Sequence, residues 1–259
     1  MNSQHFYKFH GSGNDFIIFD CRETSLSLTK EQVMELCDRR RGIGADGVVF
    51  LERGKAEFFC MKIFNSDGSA PAMCGNALRC TAKLLGQLTN KKTFHIETGS
   101  GVKKCSIVGE NIAVLMGEPP ILDRAISIDG REMVWINSGV PHLIVPVLNL
   151  EEVDVEKEGR ALRLHSRFAP HGTNVNFVRA DGDSVCALRS YERGVEAETL
   201  SCGTGATAAA YFMSNFLKSP FPINVKTKSG DVLQFNLICD KEIEMVGPAK
   251  FLFEGRVRV

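Results

Sequence analysis

The chain has 259 residues, 44% hydrophobic and 24% charged, an ordinary globular composition that allows one large domain or two of roughly 130 residues. Its 31 Lys and Arg balance 31 Asp and Glu, so no net field recruits nucleic acid or an acidic membrane face, and no apolar run approaches the ~20 residues needed to span a bilayer. The opening MNSQHFYKFHGSGND lacks a basic-then-apolar signal pattern, and nine cysteines without a CxxC pair fit reduced thiols in a cytoplasm better than a disulfide framework or a metal site.

In chain order, Phe16–Phe19 reads as a strand. Thr29 to Arg40 reads as a helix, opened by a Thr29 to Gln32 capping box and closed by Arg39, Arg40 and Arg41, which suit a helix C-terminus. The glycines of Gly42-Ile43-Gly44-Ala45-Asp46-Gly47 satisfy GxGxxG, but they run helix, glycines, strand. A dinucleotide site needs strand, glycines, helix, so no nucleotide cofactor is expected. Val48–Leu51 and Phe58–Phe64 follow as strands, then a helix over Ala77–Leu85 that stops at Gly86, then strands over Phe94–Thr98 and Asn111–Met116. Pro119 and Pro120 interrupt the pattern at the seam Met116 to Pro120. Strands over Leu143–Val147, Val175–Val178, Ser184–Arg189, Ile223–Thr227 and Val232–Leu237 complete the second half. Between them TGATAAAYFMSNFL, from Thr204, is apolar on nearly every face, and such a helix must be enclosed.

The second half repeats the first. Ser12-Gly13 and Ser138-Gly139 are 126 residues apart, as are Gly68 and Gly194; Cys74-Gly75 and Cys202-Gly203 are 128 apart. Thr98-Gly99-Ser100-Gly101 lies 129 residues before Thr227-Lys228-Ser229-Gly230, and Gly117 lies 130 before Gly247. Five matches in one order, with a slowly drifting offset, indicate a duplication. The expected fold is α+β: two pseudo-symmetric halves, each a curved, mostly antiparallel sheet wrapped around a central helix. The halves are placed at 1–118 and 119–249.

Each half starts its central helix with a cysteine and a glycine. The first turn of a helix has N–H groups without partners and a partial positive charge, so a carboxylate docks there and a thiolate is stabilised there. Gly75 and Gly203 let an anion approach closely. A pseudo-twofold axis between the halves would set Cys74 and Cys202 on opposite sides of one cleft, where one thiolate takes an α-proton and the opposite thiol returns one. The plain alternative for either cysteine alone is a small buried residue, and that reading is preferred for Cys60, Cys80 and Cys186.

KFHGSGNDFIIFD, FNSDGSAPAMCGNALRC and ERGVEAETLSCGTGATAAA resemble the N-terminal and two signature segments of the diaminopimelate epimerase family, and the likeness extends over essentially the whole chain. The resemblance implies cofactor-independent inversion of the α-carbon of LL-diaminopimelate to the meso form, a precursor of peptidoglycan and of lysine. It also implies a homodimer, and a strand near 250–259 that packs back on the first half. Carried over by position, it implies Cys74 and Cys202 as the acid/base pair, with the backbones of Gly75, Asn76, Gly203 and Thr204 holding the reacting carboxylate. Asn14, Asn65 and Asn174 would bond to substrate, Arg193 would pair with the distal carboxylate, Glu192 would lie near the amino group, and His142 would tune a thiol. On the residues alone, Arg193 reads as an exposed turn residue and His142 equally well as a structural histidine after Pro141.

Two departures touch the distal end. Val140 stands where the family usually has Asn, and Glu192-Arg193-Gly194-Val195-Glu196-Ala197-Glu198-Thr199 is one residue longer than the family's turn and has lost a glycine. Losing one buried hydrogen bond costs about 0.5–1.5 kcal/mol, enough to loosen selectivity toward a smaller acidic amino acid such as glutamate. A two-cysteine racemase of the proline or hydroxyproline type, a dithiol redox protein and a non-catalytic amino-acid-binding module remain as alternatives at this stage.

Overall fold

The computed structural model describes residues 3–239 and 241–259, which form two compact units: the chain up to Val114 together with Gly247–Val259, and Leu115–Val246. The first unit contains β1 (Ser3–Gly11), β2 (Asn14–Asp20), α1 (Lys30–Cys37), β3 (Gly47–Arg53), β4 (Phe59–Asn65), α2 (Gly75–Thr89), β5 (Thr93–Thr98), β6 (Gly101–Val108) and the first half of β7 (Asn111–Gly117), within which the chain leaves the unit. The second contains β8 (Ile121–Ile128), β9 (Arg131–Asn137), β10 (Pro141–Pro146), α3 (Val155–Arg163), β11 (Asn174–Gly182), β12 (Val185–Glu192), β13 (Ala197–Thr199), α4 (Gly203–Phe216), β14 (Ile223–Lys226), β15 (Val232–Ile238) and all but the last two residues of β16 (Glu242–Pro248). The chain ends in β17 (Lys250–Arg258).

Strand pairing gives the duplication physical form. In the first unit the order is β17–β1–β2–β3–β4–β5–β6–β7, with β2/β3 and β4/β5 parallel and the other pairs antiparallel. The second unit reads β8–β9–β10–β11–β12–β14–β15–β16, with β10/β11 and β12/β14 parallel and the rest antiparallel. The succession is the same in both. The last strand of the chain, β17, runs beside β1 as β8 runs beside β9. Register ties residues one to one: the Val49–Ile63 pair of β3 and β4 corresponds to the Asn176–Ser190 pair of β11 and β12.

The central helices are α2 and α4. Every residue from Gly75 to Ala82 is buried, as are Leu84 and Leu85; α4 carries no charged side chain and buries nine of its positions. The parallel strands at the middle of each sheet, such as β2 with Phe16–Phe19 wholly buried, are apolar in continuous runs because both faces are covered.

Two predicted helix ends are corrected. The α1 capping box forms between Thr29 and Gln32, but the helix stops at Cys37 because the Asp38 carboxylate accepts from the N–H groups of Arg40 and Arg41 and turns the chain. Helix α2 passes through Gly86 and ends at the left-handed Asn90. Gly86 serves close packing instead: a Cβ there would lie 2.2 Å from Ile107 Cδ1. Strands β1, β6, β8, β9, β13 and β16 and helix α3 lack a counterpart among the predicted elements. Helix α3 buries only Val155, Gly159 and Leu162, so its sequence carries little apolar period. No helix among the described residues is long and apolar enough to cross a membrane.

Candidate active site

In the first unit Cys74 is the N-cap of α2, with extended backbone (φ −136°, ψ 120°), so Gly75 and Asn76 supply first-turn N–H groups beside its thiol. The thiol Sγ lies 3.8 Å from Asn14 Oδ1, and Asn76 Nδ2 donates to the same oxygen at 3.3 Å. Asn14 cannot turn over, because its Nδ2 donates to the Asp46 carboxylate at 2.8 Å and a carboxylate only accepts. Behind it stands a charged cluster in which Arg39 bridges Asp46 and Asp15 at 2.7 Å each, and Lys8, buried, reaches Asp15 at 2.7 Å. Burial pushes the Asp15 carboxyl up, but the bonds from Arg39 and Lys8 outweigh it and hold the group at about 2. The wholly buried Arg79 donates to Asn76 Oδ1 at 2.9 Å and to Ser12 Oγ at 3.1 Å, which fixes the Asn76 amide. Asn65 sits at the end of β4 and donates to Ser69 Oγ at 3.0 Å.

In the second unit Cys202 caps α4 in the same way (φ −116°, ψ 107°), followed by Gly203 and Thr204. It is buried, and Sγ accepts from the Gly205 N–H at 3.4 Å and lies 3.5 Å from Thr204 Oγ1. The Glu192 carboxyl stands close enough to the Cys202 thiol for each to influence the other's protonation. Burial and the neighbouring Glu192 raise the Cys202 thiol well above its ordinary value, against the opposing bonds from Thr204 and Gly205. Burial likewise raises the Glu192 carboxyl, against a bond from the Thr199 hydroxyl. His142 is fully buried and held down to about 3 by that burial, so it is neutral at any working pH. Its Nε2 meets Thr204 Oγ1 at 2.9 Å and its Nδ1 meets Asn176 Nδ2 at 2.9 Å.

The remaining predicted residues stand beside this group. Asn174 donates to the Pro141 carbonyl at 3.1 Å and accepts from the Arg193 N–H at 2.9 Å. The Arg193 guanidinium donates to the carbonyls of His171 and Gly172. The extra residue of the turn is absorbed at Glu196, which adopts a left-handed φ of 58° and pairs with Arg163 at 2.9 Å. The structure thus gathers Asn14, Cys74, Gly75 and Asn76 in one unit. In the other it gathers His142, Asn174, Glu192, Arg193, Cys202, Gly203 and Thr204. Asp46, Arg79, Asn176, Ser190 and Thr199 also hold these groups in place, and the sequence reading does not name them in that role. The signal for Asn176 was legible: two asparagines at alternate positions of an otherwise apolar strand, Asn174-Val175-Asn176-Phe177, put amides on one face.

The family model of diaminopimelate epimerase matches residues 6–122 and 134–252. The chain is 41% identical to a diaminopimelate epimerase from Aquifex aeolicus over 97% of each chain. The chain belongs to the diaminopimelate epimerase family. The two matched segments fall on the two halves of the repeat, and the family makes the protein an isomerase, an amino-acid epimerase. Two solved structures are similar in fold. A phenazine biosynthesis protein of the PhzF family from Bacillus anthracis has a TM-score of 0.76 at 17% identity, covering 100% of both chains. A hydroxyproline epimerase from Agrobacterium vitis has 0.70 at 14%, covering 98% of this chain and 92% of that one.

Proposed function

We propose that this epimerase converts LL-diaminopimelate to meso-diaminopimelate without a cofactor, with Cys74 and Cys202 working on opposite faces of one α-carbon. The observation that carries the reading is the matched placement of the two sulfurs. Each caps the central helix of its unit, each is followed by glycine, and each has partners suited to a different half of a proton exchange.

Glu192 stands beside Cys202 and accepts its proton as substrate enters. The thiolate so formed is held by the Gly205 N–H and the Thr204 hydroxyl. That thiolate takes the α-proton: the C–H bond breaks, and its electron pair spreads over the α-carbon and carboxylate. The first-turn N–H groups of Gly75, Asn76, Gly203 and Thr204 are suited to hold the growing negative charge. Cys74 donates from the other face. Its thiol is aimed at a carbonyl oxygen, Asn14 Oδ1, which accepts a proton's hydrogen bond and offers none to a thiolate. The product leaves with Cys74 ionised and Cys202 protonated, and a proton exchange with solvent resets the pair.

Asn174 and Arg193 take the distal end of the substrate, the guanidinium exchanging two backbone carbonyls for a carboxylate. Val140 and the longer turn loosen that end, so glutamate enters as a slow second substrate. A homodimer along β17 accords with its exposed Phe251, Leu252 and Phe253.

The test is incubation with LL-diaminopimelate in deuterated water under reductant. The reading expects one deuterium at each inverted α-carbon. Inversion without solvent deuterium, or no turnover of diaminopimelate alongside turnover of proline, would end it.

A further inference from the structure

Behind Cys202 runs a buried chain of polar groups whose direction is set by chemistry. The Leu143 carbonyl only accepts, so the Asn176 group facing it at 3.4 Å is Nδ2, and Oδ1 is turned to the Ser190 hydroxyl at 2.9 Å. Nδ2 only donates, so the His142 Nδ1 that it meets at 2.9 Å accepts, and the ring hydrogen sits on Nε2. Nε2–H donates to Thr204 Oγ1 at 2.9 Å. The hydroxyl, with its oxygen already accepting, directs its one hydrogen at Cys202 Sγ, 3.5 Å away.

The duplication shows that this chain of groups belongs to one half only. Matching register puts Phe16 where the second unit has His142, Val49 where it has Asn176 and Ile63 where it has Ser190. Three positions that are plain core in the first unit are polar and buried in the second. Three coordinated polar replacements in a core are costly unless all are satisfied, and here each has its partner. Gly205 fits the same purpose, since a Cβ there would lie 2.3 Å from Asn176 Oδ1.

We propose that Ser190, Asn176 and His142 are positioning residues that lock the Thr204 hydroxyl as a donor to the Cys202 sulfur, stabilising the thiolate there. The proposal rests on the reading that Cys202 moves the α-proton. The titratable and charged groups facing it are Glu192, at Cys202, and Arg193, near His142.

Two measurements test it. The first is the ¹⁵N spectrum of His142, which should show hydrogen on Nε2 alone across pH 5 to 9 and lose that single tautomer in Asn176→Ala. The second is the pH profile of α-proton exchange. Thr204→Val should move its acidic limb up by about one pH unit and slow exchange near pH 7 about tenfold. Thr204→Ser, which keeps the hydroxyl, should keep the wild-type midpoint, and Asn176→Ala combined with Thr204→Val should go no further than Thr204→Val alone. A wild-type His142 carrying its hydrogen on Nδ1, or a Thr204→Val limb at the wild-type position, overturns the proposal. If the wild-type enzyme exchanges no α-proton at all, the epimerase reading falls, and the tautomer still decides whether the polar chain is directed as described.

Discussion

The two cysteine sites share a scaffold and differ in chemistry. Both sulfurs cap a buried central helix, with the same strand order around them. Around Cys74 the support is charged and reaches the surface: Arg39, Asp15, Asp46 and Lys8 pin Asn14, and Asn14 presents an acceptor to the thiol. Around Cys202 the support is buried and neutral apart from Glu192 beside the sulfur and Arg193 near His142: His142, Asn176 and Ser190 lead to the Thr204 hydroxyl next to the sulfur. Matched register puts Asn65 at the position of Glu192, so only one half carries a proton acceptor there. Duplication supplied a symmetrical frame, and a handful of substitutions gave the two thiols different neighbours.

The comparison can be broken most forcefully at the sulfurs. Cys74→Ser and Cys202→Ser should each lower the epimerisation rate by about 10³-fold or more while circular dichroism of the fold is unchanged, since each removes one acid/base partner. A variant retaining a tenth of the activity would remove that cysteine from the chemistry. Next in size, Glu192→Gln should cost about 100-fold in kcat and abolish the acid/base pairing at Cys202, whereas Asn65→Ala at the matching position should mainly raise KM. Equal kcat losses at both would erase the asymmetry. Asp46→Asn should cost about tenfold, because Asn14 then loses the carboxylate that fixes its amide.

The smallest effect concerns stability. Asp15 titrates below its unfolded value, so its contribution is fully present above the ordinary aspartate range and is lost as pH falls through about 2. Asp15→Asn should therefore lower Tm by about 2–5 °C at pH 7, with the deficit shrinking steadily below pH 4. A deficit independent of pH would show that the cluster acts through packing. The single tryptophan, Trp135, lies in the second unit, so its fluorescence reports whether that unit follows.

The two-half fold was legible because turn residues and the rare Cys-Gly pairs recur in order, and because enclosed helices and parallel strands leave long apolar runs. Strands such as β6, Gly101–Val108, were not. Lys103 and Lys104 sit side by side, and only Cys105 is buried, so the alternation that marks a half-buried strand is weak. At the candidate site, Cys74 and Cys202 stood out as unusual residues at helix starts. The residues that tune them did not, since Asn176 meets His142 and Ser190 only through register across three strands, with sequence separations of 34 and 14. Resemblance places Glu192 near the substrate amino group; its carboxylate accepts from the Thr199 hydroxyl and stands beside Cys202, which the residue's sequence context does not reveal.

The most direct test of opposite-face chemistry is α-proton exchange in the single variants Cys74→Ala and Cys202→Ala, followed in deuterated water with LL- and meso-diaminopimelate supplied separately. With one thiol left, a proton can leave and return only on that face. Each variant should exchange one configuration without inverting it, and the two variants should choose opposite configurations. Both variants exchanging the same configuration, or either one still inverting, would contradict the account.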